Sequence, residues 1–280
     1  MTVRRDEGAA QMTGLPREFF GRPADEVAPA LLGCVLAHDS PAGLVAAVIV
    51  ETEAYAGQAD PASHAFRGKT ARNAVMFGPA GHAYVYFTYG MHFCVNLVCQ
   101  GEGEATAVLL RAGRIIEGAE LAAARRSPAG PATGHGRRAG LAGRPGAGPG
   151  PAQDQPLAGG PGAGPGPGTV SPADGSGAAR TDARLRERDL ARGPARLCQA
   201  LGIDRSLDGA DVCDRRGPLQ IRGPASAAPV GRISRGPRVG VSRAAEVEWR
   251  FWIGGDPCVS AYRPHLPRRA APGGLPPGQA

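Results

Sequence analysis

The stretch from Ser127 to Ala179 most constrains what this chain can fold into: 26 of its 53 residues are Gly or Pro, and it holds no aromatic, Ile or Met. Such a segment cannot bury enough apolar surface to offset the entropy lost on ordering it. The sequence therefore predicts a disordered Gly/Pro-rich insertion at 127–179. Treated as a Gly-rich coil it would span roughly 40 Å, enough to arc over a domain surface. Residues 1–13 and the biased tail 264–280 are expected to be flexible termini. The folded part is then 14–126 plus 180–263, read as one domain interrupted by a tether.

Further classes are removed by patterning and charge. No run of 18 apolar residues is present, which excludes a spanning helix. The N-terminus, Met1-Thr-Val-Arg-Arg-Asp-Glu7, lacks an apolar core of the signal-peptide type, so a cytoplasmic, nucleoid-associated protein is expected, with no membrane partner. The net charge is +7, which favours a polyanionic partner. That weight is modest, because Lys69 is the only lysine and an Arg-, Ala-, Gly- and Pro-rich composition also follows from a GC-rich genome. The six cysteines form no CxxC pair, so they read as reduced, mostly buried thiols and not as a metal site.

Within the folded part the signals are mostly β. Leu44–Tyr55, Ala83–Phe87, His92–Val98 and Ala105–Arg111 read as strands, the second and third joined by a hairpin over Thr88–Met91. Arg250–Ile253 and Cys258–Tyr262 read as short late strands. Helices are predicted at Asp25–Leu32, Glu117–Arg125 and Gly193–Leu201, with Pro29 and Pro194 near first turns. Strands without a βαβ rhythm suggest an α+β class with an antiparallel sheet.

Three groups of residues carry candidate chemistry. Glu51 and Glu53 close an apolar strand two positions apart, on one face if the strand continues, with Tyr55 on that face and His64 nine residues on. Two such acids suit a carbohydrate glycosidase, one as acid and one as base; a strand end emerging into water explains them equally well. Four of the five tyrosines fall between Tyr55 and Tyr89; Tyr84 and Tyr86 share a strand face, whereas Tyr89 at the hairpin tip has little core to enter and is free to wedge into a base stack. Arg67, Lys69 and Arg72, beside Thr70 and Asn73, suit phosphate contacts or simply a solvated loop.

Taken in order, Glu51-Thr-Glu-Ala-Tyr55, Ser63-His64, Thr70-Ala-Arg-Asn73, Met76-Phe-Gly78, Ala83–Met91, Asn96, Gln100-Gly101, Leu109–Ala112, Glu117-Gly118, Gly193-Pro194, Leu197–Leu201 and Arg238-Val-Gly240 resemble the alkyladenine-type 3-methyladenine DNA glycosylases. The resemblance spans both folded halves and skips the insertion and tail. It implies a single domain with a curved antiparallel sheet, surrounding helices and a β-hairpin projecting toward DNA. It implies Glu53 as general base and Arg111 as the arginine that positions water and phosphate. Tyr55, His64, Tyr86, Asn96 and Val239 would line the base pocket, Asn96 disfavouring guanine. Tyr89 would fill the gap in the duplex, and Met91 and His92 would contact the minor groove, His92 standing where mammalian relatives carry Tyr. Thr70 and Arg72 are expected on the DNA backbone.

The expected substrate is double-stranded DNA holding damaged purines such as 3-methyladenine, 7-methylguanine, hypoxanthine or ethenoadenine, acted on by a monomer with no cofactor. The chemistry is consistent with that reading. A base inside a duplex is unreachable until its nucleotide is rotated out and supported. A carboxylate beside the sugar both orients water and offsets oxocarbenium charge. Bifunctional glycosylases need an amine nucleophile, and only Lys69, in a loop, or the N-terminus could serve, so a monofunctional enzyme is expected. A non-catalytic nucleic-acid-binding protein and a Glu51/Glu53 carbohydrate glycosidase remain the alternatives.

Overall fold

A computed structural model describes residues 14–88, 91–127, 186–226 and 230–265. The expected insertion at 127–179, save Ser127, the N-terminal 13 residues and nearly all of the tail lie outside the described residues. So do Tyr89 and Gly90 of the hairpin turn.

Two short helices, α1 (Arg17–Phe20) and α2 (Ala24–Ala30), precede β1 (Cys34–Ser40) and β2 (Gly43–Tyr55). Then come β3 (Ala83–Thr88), β4 (His92–Cys99), β5 (Thr106–Glu117) and α3 (Ala119–Arg126). The second half supplies α4 (Pro194–Leu201), β6 (Leu219–Pro224), β7 (Ile233–Gly236) and β8 (Arg250–Ile253). All eight strands join one antiparallel sheet in the order β3-β4-β5-β2-β1-β6, with β7 and β8 added on β2 through β8. Strands from both halves of the chain are thus hydrogen-bonded neighbours, and the α+β architecture expected from the sequence is the one observed.

One face of the sheet is closed by the main core, in which Phe20, Val27 and Leu31 of the N-terminal segment meet Leu197 and Leu201 of α4 over Val45, Ala47, Ile49 and Leu110. The long strand β2 changes allegiance midway. Ala46, Val48 and Val50 pack on the opposite face, yet Ala54 returns to the main core, so strict alternation is broken between 50 and 54. The cause is a register shift against β5 around Glu51. A bulge of this kind re-aims every following side chain. It turns Thr52 toward α2, where its hydroxyl donates to Ala28 O at 2.9 Å, and places Glu53 and Tyr55 on the face away from the helices. β1 pairs with β2 before the bulge and β8 pairs with it after, at Glu51–Glu53.

Several local expectations are corrected. Cys258–Tyr262 forms no strand: the Asp256 carboxylate accepts the Cys258 N–H at 2.8 Å, turning the chain at Asp256-Pro257. The third helix begins at Ala119 rather than Glu117, because β5 runs through Glu117 and Gly118 takes φ +71°, its would-be Cβ 2.3 Å from Leu44 O. Pro29 lies in the last turn of α2, not the first. Pro194 does open its helix, and Gly202 in the left-handed region closes it.

Candidate active site

Glu51 and Glu53 emerge from the bulge wholly buried, so the strand does not simply open into water there. Arg111, on β5, lies between them: its Nε donates to Glu51 Oε1 at 2.8 Å and its Nη1 lies 3.2 Å from Glu53 Oε2. The two carboxylates are otherwise unlike. Glu51 also receives Arg250 Nε at 2.8 Å, the Ser260 hydroxyl at 2.8 Å and the Ser260 N–H at 2.7 Å. Burial alone would raise its pKa, but the charges of Arg111 and Arg250 and the Ser260 hydrogen bonds outweigh it and hold Glu51 below the usual range. Glu53 receives the Tyr55 hydroxyl on Oε2 at 2.9 Å and the Val239 N–H on Oε1 at 2.7 Å. Oε1 therefore keeps acceptor capacity for a further donor such as water.

The same face continues into an aromatic cage. Cross-strand neighbours carry Glu53 to Leu109, Asn96 and Tyr84 in one row, and Tyr55 to Ala107 in the next. Tyr84 and Tyr86 stack at 5.5 Å, and the His64 ring stands edge-on to Tyr86 at 4.5 Å, its Nδ1 3.3 Å from the Tyr84 hydroxyl. Burial, helped by the charge of Arg72, pushes His64 down to about 4, so the ring is neutral at pH 7. Burial also pushes Tyr84 up to about 12 and raises Tyr55 and Tyr86 well above the ordinary phenol value. Asn96 is buried, with its amide 3.4 Å from Tyr84 O.

The loop that carries His64 is tied by Asn73, whose amide donates to His64 O and Gly68 O and whose carbonyl accepts from Thr70. Thr70 and Arg72 are exposed on this loop, and Arg72 Nη2 donates to Phe87 O at 3.0 Å near the end of β3. Met91 and His92 are exposed at the start of β4, Met91 by 62%. Tyr89, between them and β3, is outside the described residues. Glu53, Tyr55, Arg111 and Val239 are thus brought into direct contact, with the His64–Tyr86 pair and Asn96 on the same sheet face.

Sequence reading passed over three supporting groups. Arg250 and Ser260 complete the shell of Glu51 from 199 and 209 residues away. Arg238 and Asp60 form a fully buried bidentate pair, Nη1 to Oδ2 at 2.5 Å and Nη2 to Oδ1 at 3.0 Å. The available signal was the one charged position in Arg238-Val-Gly240, beside Val239. Two surface clefts of about 320 and 440 Å³ lie elsewhere, the first edged by Arg215, Arg216 and Arg222, the second by Arg114, Val230 and Ile253. Among the described residues no group of three His, Cys, Asp or Glu is placed to hold a metal, and no helix is long and apolar enough to cross a membrane.

A family model described as methylpurine-DNA glycosylase matches residues 18–163 and 169–257. The match places the chain among the DNA repair glycosylases, hydrolases of N-glycosyl bonds. The chain belongs to the methylpurine-DNA glycosylase family. It is 46% identical over 263 residues to a Streptomyces avermitilis protein, covering 93% of this chain and 97% of that one. It is 43% identical to a Leifsonia xyli protein (89% and 92% covered) and 39% identical to one from Methanocella arvoryzae (90% and 98%). Each of the three carries the name "Putative 3-methyladenine DNA glycosylase".

Proposed function

We propose that this protein excises alkylated or deaminated purines, among them 3-methyladenine, 7-methylguanine, hypoxanthine and ethenoadenine, from double-stranded DNA by hydrolysing the N-glycosidic bond and leaving an abasic site. The observation that carries the reading is the asymmetry of the two buried carboxylates. Glu51 is fixed by two guanidiniums and both donors of Ser260, whereas Glu53 meets one guanidinium, shares the sheet face of the aromatic cage and keeps acceptor capacity on Oε1. Glu53 is the general base that takes a proton from water, and its charge offsets the oxocarbenium character of the sugar. Arg111, shared by both acids, keeps Glu53 in place and offers a cation to the nucleotide. Tyr55, Tyr86 and His64 supply ring faces for the extruded base, with Asn96 and Val239 completing the pocket. The neutral His64 adds no repulsion against a cationic alkylated purine, which electron-rich rings attract. Tyr89, Met91, His92, Thr70 and Arg72 are the DNA-contacting set, and the active species is a monomer.

The same asymmetry disfavours a two-carboxylate carbohydrate glycosidase, because two guanidiniums and both donors of Ser260 fix Glu51 as a supporting group. The only lysine, Lys69, has its ammonium 5.9 Å from the Phe77 ring centroid and takes no part in the Glu53 cluster, which supports monofunctional hydrolysis. The test is incubation with duplex oligonucleotides containing hypoxanthine, ethenoadenine or 3-methyladenine, followed by alkaline cleavage of abasic sites. Strand breaks only after alkali, with no borohydride-trapped protein–DNA adduct, are expected. Intact strands with every lesion would overturn the reading.

A further inference from the structure

Behind the pocket wall lies a cation that no hydrolytic step requires. Arg238 is 1% exposed, and its guanidinium carbon sits 4.8 Å from the centroid of the Tyr55 ring and 5.3 Å from that of Trp249. Its Nη1 donates to Ala54 O at 3.1 Å, between Glu53 and Tyr55, and to Asp60 at 2.5 Å. Its Nη2 donates to Asp60 at 3.0 Å and lies 3.4 Å from the carbonyl of Ala244, a non-glycine residue held at φ +47°. Phe, Leu or Met would fill this space without desolvating a charge, and a buried ion pair is weak support for stability alone. The neighbouring Val239 N–H is the donor to Glu53 Oε1.

We propose that Arg238 is a specificity-determining positioning residue, which sets through the Tyr55 ring how strongly the pocket favours cationic over neutral damaged bases. The proposal rests on the base-excision reading above. A ring attracts a cation through the negative charge of its π face. With a guanidinium already on Tyr55, a second cation in the form of a 3-alkyladenine or 7-alkylguanine meets a ring whose attraction is partly spent and whose field includes a like charge. A neutral base such as hypoxanthine loses much less. Asp60 tempers the effect by pairing with the guanidinium, so the Arg238–Asp60 pair sets the ring's preference from behind. The device would hold back excision of readily released cationic purines and let neutral lesions compete.

The experiment compares single-turnover excision of 7-methylguanine and hypoxanthine from otherwise identical duplexes. The readout is the cationic-to-neutral rate ratio relative to the parent, in which intrinsic leaving-group differences cancel. Arg238→Gln combined with Asp60→Asn removes both charges while leaving hydrogen-bonding side chains, and should raise the ratio about threefold to tenfold, between the values expected for an exposed and a fully desolvated cation–π contact because Asp60 already tempers the charge. Asp60→Asn alone leaves the guanidinium uncompensated and should move the ratio the other way, so each variant tests the idea if the other fails to fold. Arg238→Lys keeps the charge and should leave the ratio within about twofold even if both rates fall. A purely structural role would lower both rates together in every variant. An unchanged ratio in the double variant, or a shift in the same direction for Asp60→Asn, would overturn the proposal. A parent inactive on both lesions would instead overturn the base-excision reading itself.

Discussion

Replacing Glu51 by Gln separates support from catalysis within one buried cluster. In the parent, Glu51 and Glu53 are balanced by Arg111 and Arg250, two charges of each sign, all at 6% exposure or less. The substitution preserves shape but leaves one guanidinium charge uncompensated and turns an amide toward the donors of Ser260 and the two arginines. Breaking a buried pair by neutralising one partner costs about 3–5 kcal/mol. For a folded domain of this size that corresponds to a fall in Tm of roughly 10 °C. The sign of the pH dependence follows from the depressed pKa of Glu51. Its contribution is fully present above the unfolded carboxylate value of about 4.3 and is lost as pH falls through the lower folded value. Thermal unfolding of parent and variant should therefore differ most near neutrality and converge in acid, while excision at a permissive temperature falls by less than about tenfold. Two results would refute the reasoning: equal stability at pH 7, or excision lost as completely as when Glu53 is changed, which would restore the two-carboxylate glycosidase.

Three further outcomes are expected. Tyr55→Phe keeps the ring and removes the hydroxyl that donates to Glu53, so single-turnover excision should drop by about fivefold to tenfold, in line with one hydrogen bond of about 1 kcal/mol, with little change in Tm. Tyr89→Ala should weaken nucleotide extrusion, read from ethenoadenine fluorescence, more than it weakens salt-sensitive binding to undamaged duplex; a parental flipping equilibrium would remove Tyr89 from the DNA-contacting set. Replacing 127–179 by a Gly/Ser bridge of ~12 residues changes closure entropy by about 1 kcal/mol in the stabilising direction, so the shortened protein should fold and excise at near-parental rates. Insoluble or inactive protein would mean that the segment docks on the domain.

Local sequence disclosed the elements whose patterns are long and self-contained. β2 declares itself by an unbroken apolar run, and α4 by Pro194 at its start and Gly202 after its end. The strands β1, β6 and β7 were not read out: Cys34–Ser40 ends in His-Asp-Ser, Leu219–Pro224 contains Arg, Gly and Pro, and Ile233–Gly236 is four residues long. β6 is held in the sheet by β1, far earlier in the chain, whereas β1 and β7 pair with the strands that follow them, β2 and β8. The same mixture holds in the site. Glu53 and Tyr55 were visible as polar groups closing an apolar strand, but β2 itself has no Gly or Pro at the bulge that aims them; the glycine there, Gly113 opposite Ile49, lies across on β5. Nor does an isolated Asp60 or Arg250 announce that a partner 178 or 199 residues away will bury it.

The central claim is that Glu53 performs the hydrolysis, and Glu53→Gln tests it most directly. The measurement pairs single-turnover excision of hypoxanthine from a duplex with fluorescence anisotropy on the same duplex. The account predicts that excision falls by roughly 10² to 10⁴, the usual contribution of a general base, while Kd stays within a few-fold of the parent. Excision persisting at near-parental rates in a folded variant that binds DNA normally would contradict it.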